Sequence, residues 1–376
     1  MINFASNLNK MIDAGLGGPL DPPRTEVAVG HRVVYTEASG AMVNFETNVI
    51  APVKNLRVTM EPIQAGSGDP SPDNIRPITG RESVTVTRTG ANLLPPVLKN
   101  NAESLTNNGV TLTIVNGKFH LSGTGTSNGG RNALRSAGFT LPAGTYTRVG
   151  SAIVMKADTT VISDATFTLT EATEIYIGCN IVNGTVYDED REIAIVKGDT
   201  AVVWSPYNGT SVTLQLGQTV YGGTVDVTGG SALKTMDIRD LSALTWRYYA
   251  ADNYFYASMG NRFPNGTNGK GFCSAYKFFG TAISATLASM PDMNFGFTSN
   301  SGSKYIYIKD SRYTDAASFQ TAVAGVQLVY DLQPSSYEEI TTDPVSMTTL
   351  KGQNNVWSNS GDVTLEYPYY EETEGY

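Results

Sequence analysis

The stretch that decides the fold is EPIQAGSGDPSPDNIRPITGRESVTVTRTGANLL, residues 61–94. Its segment Gly66–Pro77 holds three prolines, two glycines and two aspartates, and it lies between the strand-like runs Leu56–Met60 and Ser83–Arg88. Proline fixes φ, and glycine can adopt a positive φ at little cost. The composition therefore predicts a shaped loop that joins two strands along a fixed path.

Three polar side chains inside this loop are suited to hold it. A loop without regular structure leaves backbone N–H and C=O groups to be satisfied by side chains. We expect Asp73, Asn74 and Arg76 to make those hydrogen bonds. On this interpretation the loop is part of the scaffold, and a binding surface lies elsewhere.

Outside the loop, strand-like runs recur every 8–12 residues with turn residues between them. This spacing predicts a mainly β chain of tandem antiparallel β-sandwich or jelly-roll domains. The Asn-Gly pair of Asn116–Lys118 is typical of a type I′ hairpin turn.

Helical spacing of apolar residues occurs twice. Ile2–Ala14 predicts a short N-terminal helix that is followed by an extended, proline-rich arm, Pro19–Arg24. Asp315–Ala324 predicts a second helix, because Phe319 and Val323 lie four residues apart and Gly325 can end it.

Composition and charge exclude several classes of function. Apolar residues make up 40% of the chain and charged residues 16%, below the roughly 25% of an average globular protein. The net charge is −9, and residues 331–376 alone carry −8. Without clustered Lys and Arg we expect no nucleic-acid partner. No apolar run is long enough to span a membrane, and Met1–Gly15 lacks the pattern of a signal peptide.

Few residues are suited to catalysis or metal binding. The two cysteines, Cys179 and Cys273, lie 94 residues apart, and only two histidines are present, His31 and His120. These numbers do not make a zinc or redox motif. We expect a non-enzymatic protein without a cofactor, with calcium as the one metal that carboxylates could hold. Asp188 and Asp190 are the candidate ligands, and a solvated surface loop is the alternative.

Aromatic residues are the most suggestive feature. The segment VVWSPYNG places Trp204 and Tyr207 at the end of a predicted strand, and Tyr187 precedes the acidic run. We interpret these three as candidate glycan contacts, because a ring face can stack on a saccharide. Further aromatics alternate along strands in residues 246–256 and 305–307, where packing in a core is the alternative.

Three parts of the chain resemble minor structural proteins of tailed bacteriophages of Gram-positive hosts. The first is the loop Gln64–Gly80 with Asn92–Leu94. The second is a central run that also resembles jelly-roll carbohydrate-binding-like modules: FTLPAGTY (Phe139–Tyr146), Phe167–Asp188, KGDTAVVWSPYNG (Lys197–Gly209) and LGQTVYGGTVDVTGG (Leu216–Gly230). The third is LKGQNNVWSNSGDVTLEY, Leu350–Tyr367.

The resemblance implies a virion protein at the tail, baseplate or fibre, with other virion proteins and a host cell-wall glycan as partners. A capsid decoration protein or head fibre is one alternative, and a tail glycan depolymerase is another. A homo-oligomer, guessed to be a trimer, is expected. The expected organisation is an anchoring arm at 1–30 through Ile2, Phe4, Leu8 and Ile12, a β domain at 31–94 with a possible continuation at 210–230, a jelly roll at 95–209, and a C-terminal sandwich at 231–376.

Overall fold

The computed structural model describes residues 25–36, 40–200, 202–264, 269–281, 287–300 and 303–374. The chain is mainly β, with 52% strand, and its sheets are almost entirely antiparallel, as the sequence predicted. The predicted N-terminal helix and most of its arm, with the anchoring residues Ile2, Phe4, Leu8 and Ile12, lie outside the described residues. Residues 25–30, predicted to belong to the arm, form a strand.

The strands of the first half, in chain order, are β1 (Thr25–Tyr35), β2 (Val43–Thr47), β3 (Lys54–Met60), β4 (Ile63–Gln64), β5 (Ile78–Thr79), β6 (Arg81–Thr89), β7 (Ser104–Asn107), β8 (Val110–Val115), β9 (Lys118–Thr124), β10 (Phe139–Leu141), β11 (Gly144–Val149), β12 (Ile153–Lys156), β13 (Val161–Ile162), β14 (Thr166–Leu169), β15 (Thr173–Gly178), β16 (Val186–Arg191) and β17 (Ala194–Lys197).

The remaining strands are β18 (Thr210–Val220), β19 (Gly223–Asp226), β20 (Ser231–Lys234), β21 (Met236–Asp240), β22 (Arg247–Tyr249), β23 (Tyr254–Ser258), β24 (Gly271–Cys273), β25 (Lys277–Thr281), β26 (Asn294–Asn300), β27 (Ser303–Lys309), β28 (Gln327–Asp331), β29 (Glu338–Thr341), β30 (Gly352–Ser358) and β31 (Asp362–Glu374). Helix α1 is Ala316–Ala322, and 3₁₀ turns lie at Lys99–Asn101, Leu241–Ala243, Leu287–Ser289 and Pro334–Ser336.

A first unit, called the basal unit here, combines residues 25–89, 210–234 and 338–374. Its two sheets have the strand orders β1-β31-β3-β19-β20-β29 and β18-β6-β30-β2. Buried and exposed residues alternate along β2 and β3, as expected for strands with one face in a core. Leu56, Val86 and Val356 are fully buried between the sheets.

Two further units are inserted into the basal unit. Residues 93–207 form the second unit, whose sheets are β10-β15-β12-β13, β14-β11-β17 and β16-β9-β8-β7. Residues 236–332 form the third unit, in which β21-β28-β24 and β22-β23-β27-β26-β25 enclose a core rich in aromatic residues. Within this last sheet, β25 and β26 are parallel.

The strand pairing divides the C-terminal segment differently from the sequence prediction. Residues 231–376 were expected to form one sandwich, but β30 pairs with β2 and β6, and β31 pairs with β1 and β3. The physical reason is that an alternating strand fits any antiparallel neighbour, so its partner cannot be read from its own residues.

Local signals predicted two elements well. Asn116 and Gly117 both adopt a positive φ between β8 and β9, as a type I′ turn requires. The Asp315 carboxylate accepts a hydrogen bond from Ser318 N at 2.9 Å and caps α1. Gly325, with φ of +79°, follows that helix. Both predictions are confirmed.

The proline-rich loop is a hairpin closed by β4 and β5. The Arg76 guanidinium donates to four carbonyl oxygens of the hairpin, those of Gln64, Ala65, Gly66 and Gly68. The Asn74 amide donates to the carbonyls of Ser67 and Asp69. The predicted structural roles of Asn74 and Arg76 are therefore confirmed. Asp73 makes no hydrogen bond among the described residues.

The same hairpin joins the basal unit to the third unit. Arg76 N donates to Ser274 O at 2.7 Å, and Gln64 Nε2 donates to Cys273 O at 2.8 Å. Ile78 is buried with Met236 and Val329 in a small apolar cluster between the two units. The hairpin thus holds the third unit against the basal unit.

Candidate ligand-binding face

The three predicted glycan contacts do not form one open surface. Tyr187 is 6% exposed, and its hydroxyl oxygen accepts a hydrogen bond from Val182 N at 2.8 Å, so it has no ring face for a ligand. Trp204 is half-buried and donates from Nε1 to Ile193 O at 3.1 Å. Tyr207 is half-buried with its ring against Gly209, and burial raises its pKa. The prediction for Tyr187 is wrong.

The predicted metal ligands lie beside a histidine. His120 Nδ1 is 2.9 Å from Asp190 Oδ1, and His120 Nε2 is 3.8 Å from Asp188 Oδ1. Within the described ranges, no group of three or more His, Cys, Asp or Glu side chains could hold a metal ion. Asp188 and Asp190 therefore act as partners of His120 on the outer side of β9 and β16.

Both cysteines are buried and free. Burial raises the pKa of Cys179 to about 11 and the pKa of Cys273 to about 12. At neutral pH both are therefore thiols, which are poor nucleophiles.

The third unit carries an aromatic surface on strands whose sequence suggested core packing as the alternative to ligand binding. It consists of five tyrosines, called the tyrosine face here: Tyr249, Tyr254, Tyr256, Tyr305 and Tyr307. Side chains alternate across a strand, and the intervening Phe255, Ala257, Ile306 and Ile308 are buried in the core. The tyrosines therefore lie on the outer side of the sheet.

Strand register brings the five rings together. Tyr249 of β22 lies opposite Tyr254 of β23, and Tyr256 lies opposite Tyr307 of β27. Ring centroids are 5.0 Å apart for Tyr249 and Tyr254, and 6.0 Å apart for Tyr256 and Tyr307, in stacked pairs. Tyr305 meets Tyr256 edge to face at 5.8 Å. These contacts fix the rings as a continuous aromatic surface.

The tyrosine face is partly exposed. Tyr249 is 45% exposed, and the other four tyrosines are half-buried. On the next strand Gly296 lies opposite Tyr307, where it adds no side chain to the outer side. Among the described residues, the five hydroxyls make no hydrogen bond, and burial raises the pKa of Tyr254. The hydroxyls are therefore available as donors and acceptors.

A pocket of about 310 Å³ adjoins the tyrosine face. Tyr256 and Tyr305 form one side of it, Thr245 and Ser258 add hydroxyl groups, and Arg239 and Arg247 add positive charge. None of its lining residues is acidic. The combination of aromatic rings, neutral polar groups and cations is suited to hold a polar organic ligand.

A second pocket, of about 380 Å³, lies at the seam between the hairpin and the third unit. Gln64 and Pro70 line it from the hairpin, and Phe272, Tyr276 and Phe278 line it from the third unit. Ion pairs between Lys277 and Asp69 and between Lys270 and Glu61 join the two parts, each at 2.8–2.9 Å. This pocket belongs to the junction between units.

Comparisons with protein-family models, curated proteins and solved structures gave no match. In the part of the chain that the structure describes, no helix is long and apolar enough to cross a membrane.

Proposed function

We propose that this chain is a non-enzymatic bacteriophage virion protein, associated with the tail, baseplate or fibre, that adheres to a host-surface glycan through the tyrosine face. The observation that carries the adhesion proposal is the set of five tyrosines on the outer side of one sheet, next to a polar pocket. The particle location is supported by the sequence resemblance of three separate segments.

Physical chemistry favours a ligand for this face. Five large rings with unpaired hydroxyls combine apolar area with hydrogen-bonding capacity, which is the combination enriched at interface hot spots. A saccharide offers C–H groups to ring faces and hydroxyls to polar neighbours. The cross-strand packing keeps the rings in place before binding, which lowers the entropic cost of association.

We expect Tyr305→Ala or Tyr307→Ala to weaken glycan binding about tenfold, because a stacking ring contributes about 1–2 kcal/mol. Full-length protein would be screened on a glycan array, and the best ligand would then be titrated by calorimetry. Tyr305→Phe should keep most of the affinity, since it retains the ring.

Tyr35→Ala is the matched control, because Tyr35 is 63% exposed on β1 of the basal unit, away from the tyrosine face. It should bind like the wild type. No glycan binding by the wild type at high micromolar concentration would exclude the adhesion function. Equal loss in all alanine variants would place the effect outside this face.

The second prediction concerns location on the particle. We expect gold-labelled antibodies against this chain to mark the tail end of intact virions, and cryo-electron microscopy to place its three units there. Labelling confined to the capsid would contradict the tail location while leaving the adhesion function to be decided by the binding assay.

A further inference from the structure

We infer that the ligand of the tyrosine face is an anionic saccharide whose carboxylate or phosphate group lies between Arg239 and Arg247. This inference rests on the proposed glycan-binding function and specifies the chemical class of the ligand. It is carried by the charge and the shape of the pocket beside Tyr256 and Tyr305.

The pocket exists because β22 is short. This edge strand begins at Arg247, opposite Tyr256, so Ala257 and Ser258 have no partner strand on that side. The preceding chain turns inward, where Trp246 is 4% exposed, donates from Nε1 to Leu241 O at 2.8 Å and packs edge to face on Phe319. A notch remains between β23 and the turn that carries Thr245.

The two arginines of this notch lack acidic partners. Within the described residues no carboxylate pairs with Arg239 or Arg247. The Arg239 guanidinium carbon lies 5.8 Å from the Tyr330 ring centroid. By contrast, Arg262 and Arg312 of the same unit are both paired with carboxylates. A chain of net charge −9 therefore leaves two guanidinium groups together without a counter-charge.

Asp237 and Asp240, the acidic residues next to Arg239 in the sequence, do not line the pocket, and Asp237 is paired with Arg262. The Asp240 carboxylate accepts hydrogen bonds from Ser242 N at 2.8 Å and Gly325 N at 2.9 Å, where it caps a 3₁₀ turn. The charge of Asp252 contributes to the raised pKa of Tyr254, and neither residue lines the pocket. An anion entering the notch would meet no fixed negative charge among the lining residues.

Shape and charge together select the ligand class. A guanidinium group binds a carboxylate or a phosphate through paired N–H donors. Since Tyr256 and Tyr305 line the same notch, a sugar ring on these tyrosines would place an acidic substituent beside the arginines. A single-stranded nucleic acid also combines bases with charge, but it requires a track of cations along its backbone. The acidic net charge of this chain disfavours it.

The test compares an acidic polymer with its neutral form and with two other polyanions. Probes are oligogalacturonate, its methyl ester, a glycerol phosphate polymer and a short oligothymidylate, each titrated into full-length protein. The glycan array of the adhesion test, extended to paired acidic and neutral glycans, shows whether binding of any kind occurs. We expect the acidic probes or array members to bind at least about tenfold tighter than their neutral counterparts, and salt to weaken only the acidic ones.

Arg247→Gln should reduce that preference, and the double variant Arg239→Gln/Arg247→Gln should reduce it to about one. Arg247→Lys should retain part of it, and Arg57→Gln should retain all of it. Arg57 is the control because its side chain is 53% exposed in the basal unit and already paired with Asp226 Oδ2 at 3.4 Å.

Four outcomes would contradict all or part of the inference. Equal binding of acidic and neutral forms that is lost in Tyr305→Ala would overturn the anionic preference but keep the glycan-binding function. A preference that survives in the double arginine variant would place the anion elsewhere and overturn the inference. Tightest binding of the oligothymidylate would replace the saccharide by a nucleic acid. No binding of any probe or array member would overturn both proposals.

Discussion

Replacing Phe319 by alanine is expected to lower the free energy of unfolding of the third unit by about 3–5 kcal/mol. Phe319 is fully buried and lies at the centre of the aromatic core. Its ring stacks on Phe255 at a centroid distance of 4.0 Å with an interplanar angle of 7°, and it meets Trp246 edge to face at 5.0 Å. Alanine would leave a cavity where α1 meets the sheet.

Loss of the Phe319 ring should also affect the tyrosine face, because its stacking partner Phe255 lies between Tyr254 and Tyr256 on β23. We expect Phe319→Leu to cost less than about 1.5 kcal/mol, since it retains most of the volume. A loosened β23 should weaken glycan binding in the alanine variant more than in the leucine variant.

The measurement needs a signal from the third unit alone, because a chain with three cores need not unfold in one transition. Of the three tryptophans, only Trp246 lies in this core. Urea unfolding would therefore be followed by fluorescence in a Trp204→Phe/Trp357→Phe background. Phe119→Ala, a fully buried position of the second unit, is the control and should leave the Trp246 transition in place. An unmoved Trp246 transition in Phe319→Ala would contradict the role assigned to this ring.

The sequence could predict what local signals determine. Asp315 and the spacing of Phe319 and Val323 were sufficient to locate α1, and Asn116-Gly117 was sufficient to locate a turn. In the proline-rich loop, Asn74 and Arg76 were sufficient to predict internal hydrogen bonds. Its contact with Ser274, about 200 residues further along the chain, depends on pairing that leaves no local trace.

The candidate site was only partly predictable for the same reason. Along β23 the aromatics are consecutive, because Phe255 separates Tyr254 from Tyr256, so both faces of that strand are aromatic and neither is marked as outer. Along β27 the two tyrosines alternate with isoleucines. The regular placement of tyrosine rather than phenylalanine at the outer positions was the available signal. Trp204 was favoured because it ends a predicted strand, but residues 202–209 form no strand, and its hydrogen bond to Ile193 O fixes it at the edge of the second unit. No local feature of VVWSPYNG reveals that bond.

The second large effect is expected at a buried ion pair. Asp310 is fully buried, and its carboxylate accepts hydrogen bonds from Arg312 Nε at 2.9 Å, Arg312 Nη2 at 2.7 Å and Tyr276 Oη at 2.9 Å. Burial alone would raise the pKa of Asp310, but the hydrogen bonds from Arg312 and Tyr276 outweigh it, so this pKa lies below its ordinary value.

Arg312→Ala would leave that carboxylate buried without a cation. We expect the free energy of unfolding of the third unit to fall by about 3 kcal/mol near neutral pH, which is the lower end of the range for a broken buried ion pair. The lower end applies because the Arg312 side chain is 38% exposed and its attraction is partly screened by solvent. Arg312→Lys should recover part of the loss, and Arg312→Ala/Asp310→Asn should also recover part, because it removes the orphaned charge.

The stability difference between the wild type and Arg312→Ala should depend on pH. In the wild type the folded-state pKa of Asp310 is depressed, so its contribution is present above the unfolded-state pKa of about 3.9 and is lost as the pH falls through the folded-state value. In Arg312→Ala the folded-state pKa should rise above the unfolded one, so the variant gains stability as the carboxyl group is protonated. The difference between the two proteins, measured on the Trp246 transition, should therefore shrink from about pH 7 to about pH 4. A difference that stays constant over this range would mean that Arg312 stabilises the third unit by packing, because only a charge interaction with Asp310 requires the carboxylate to be ionised.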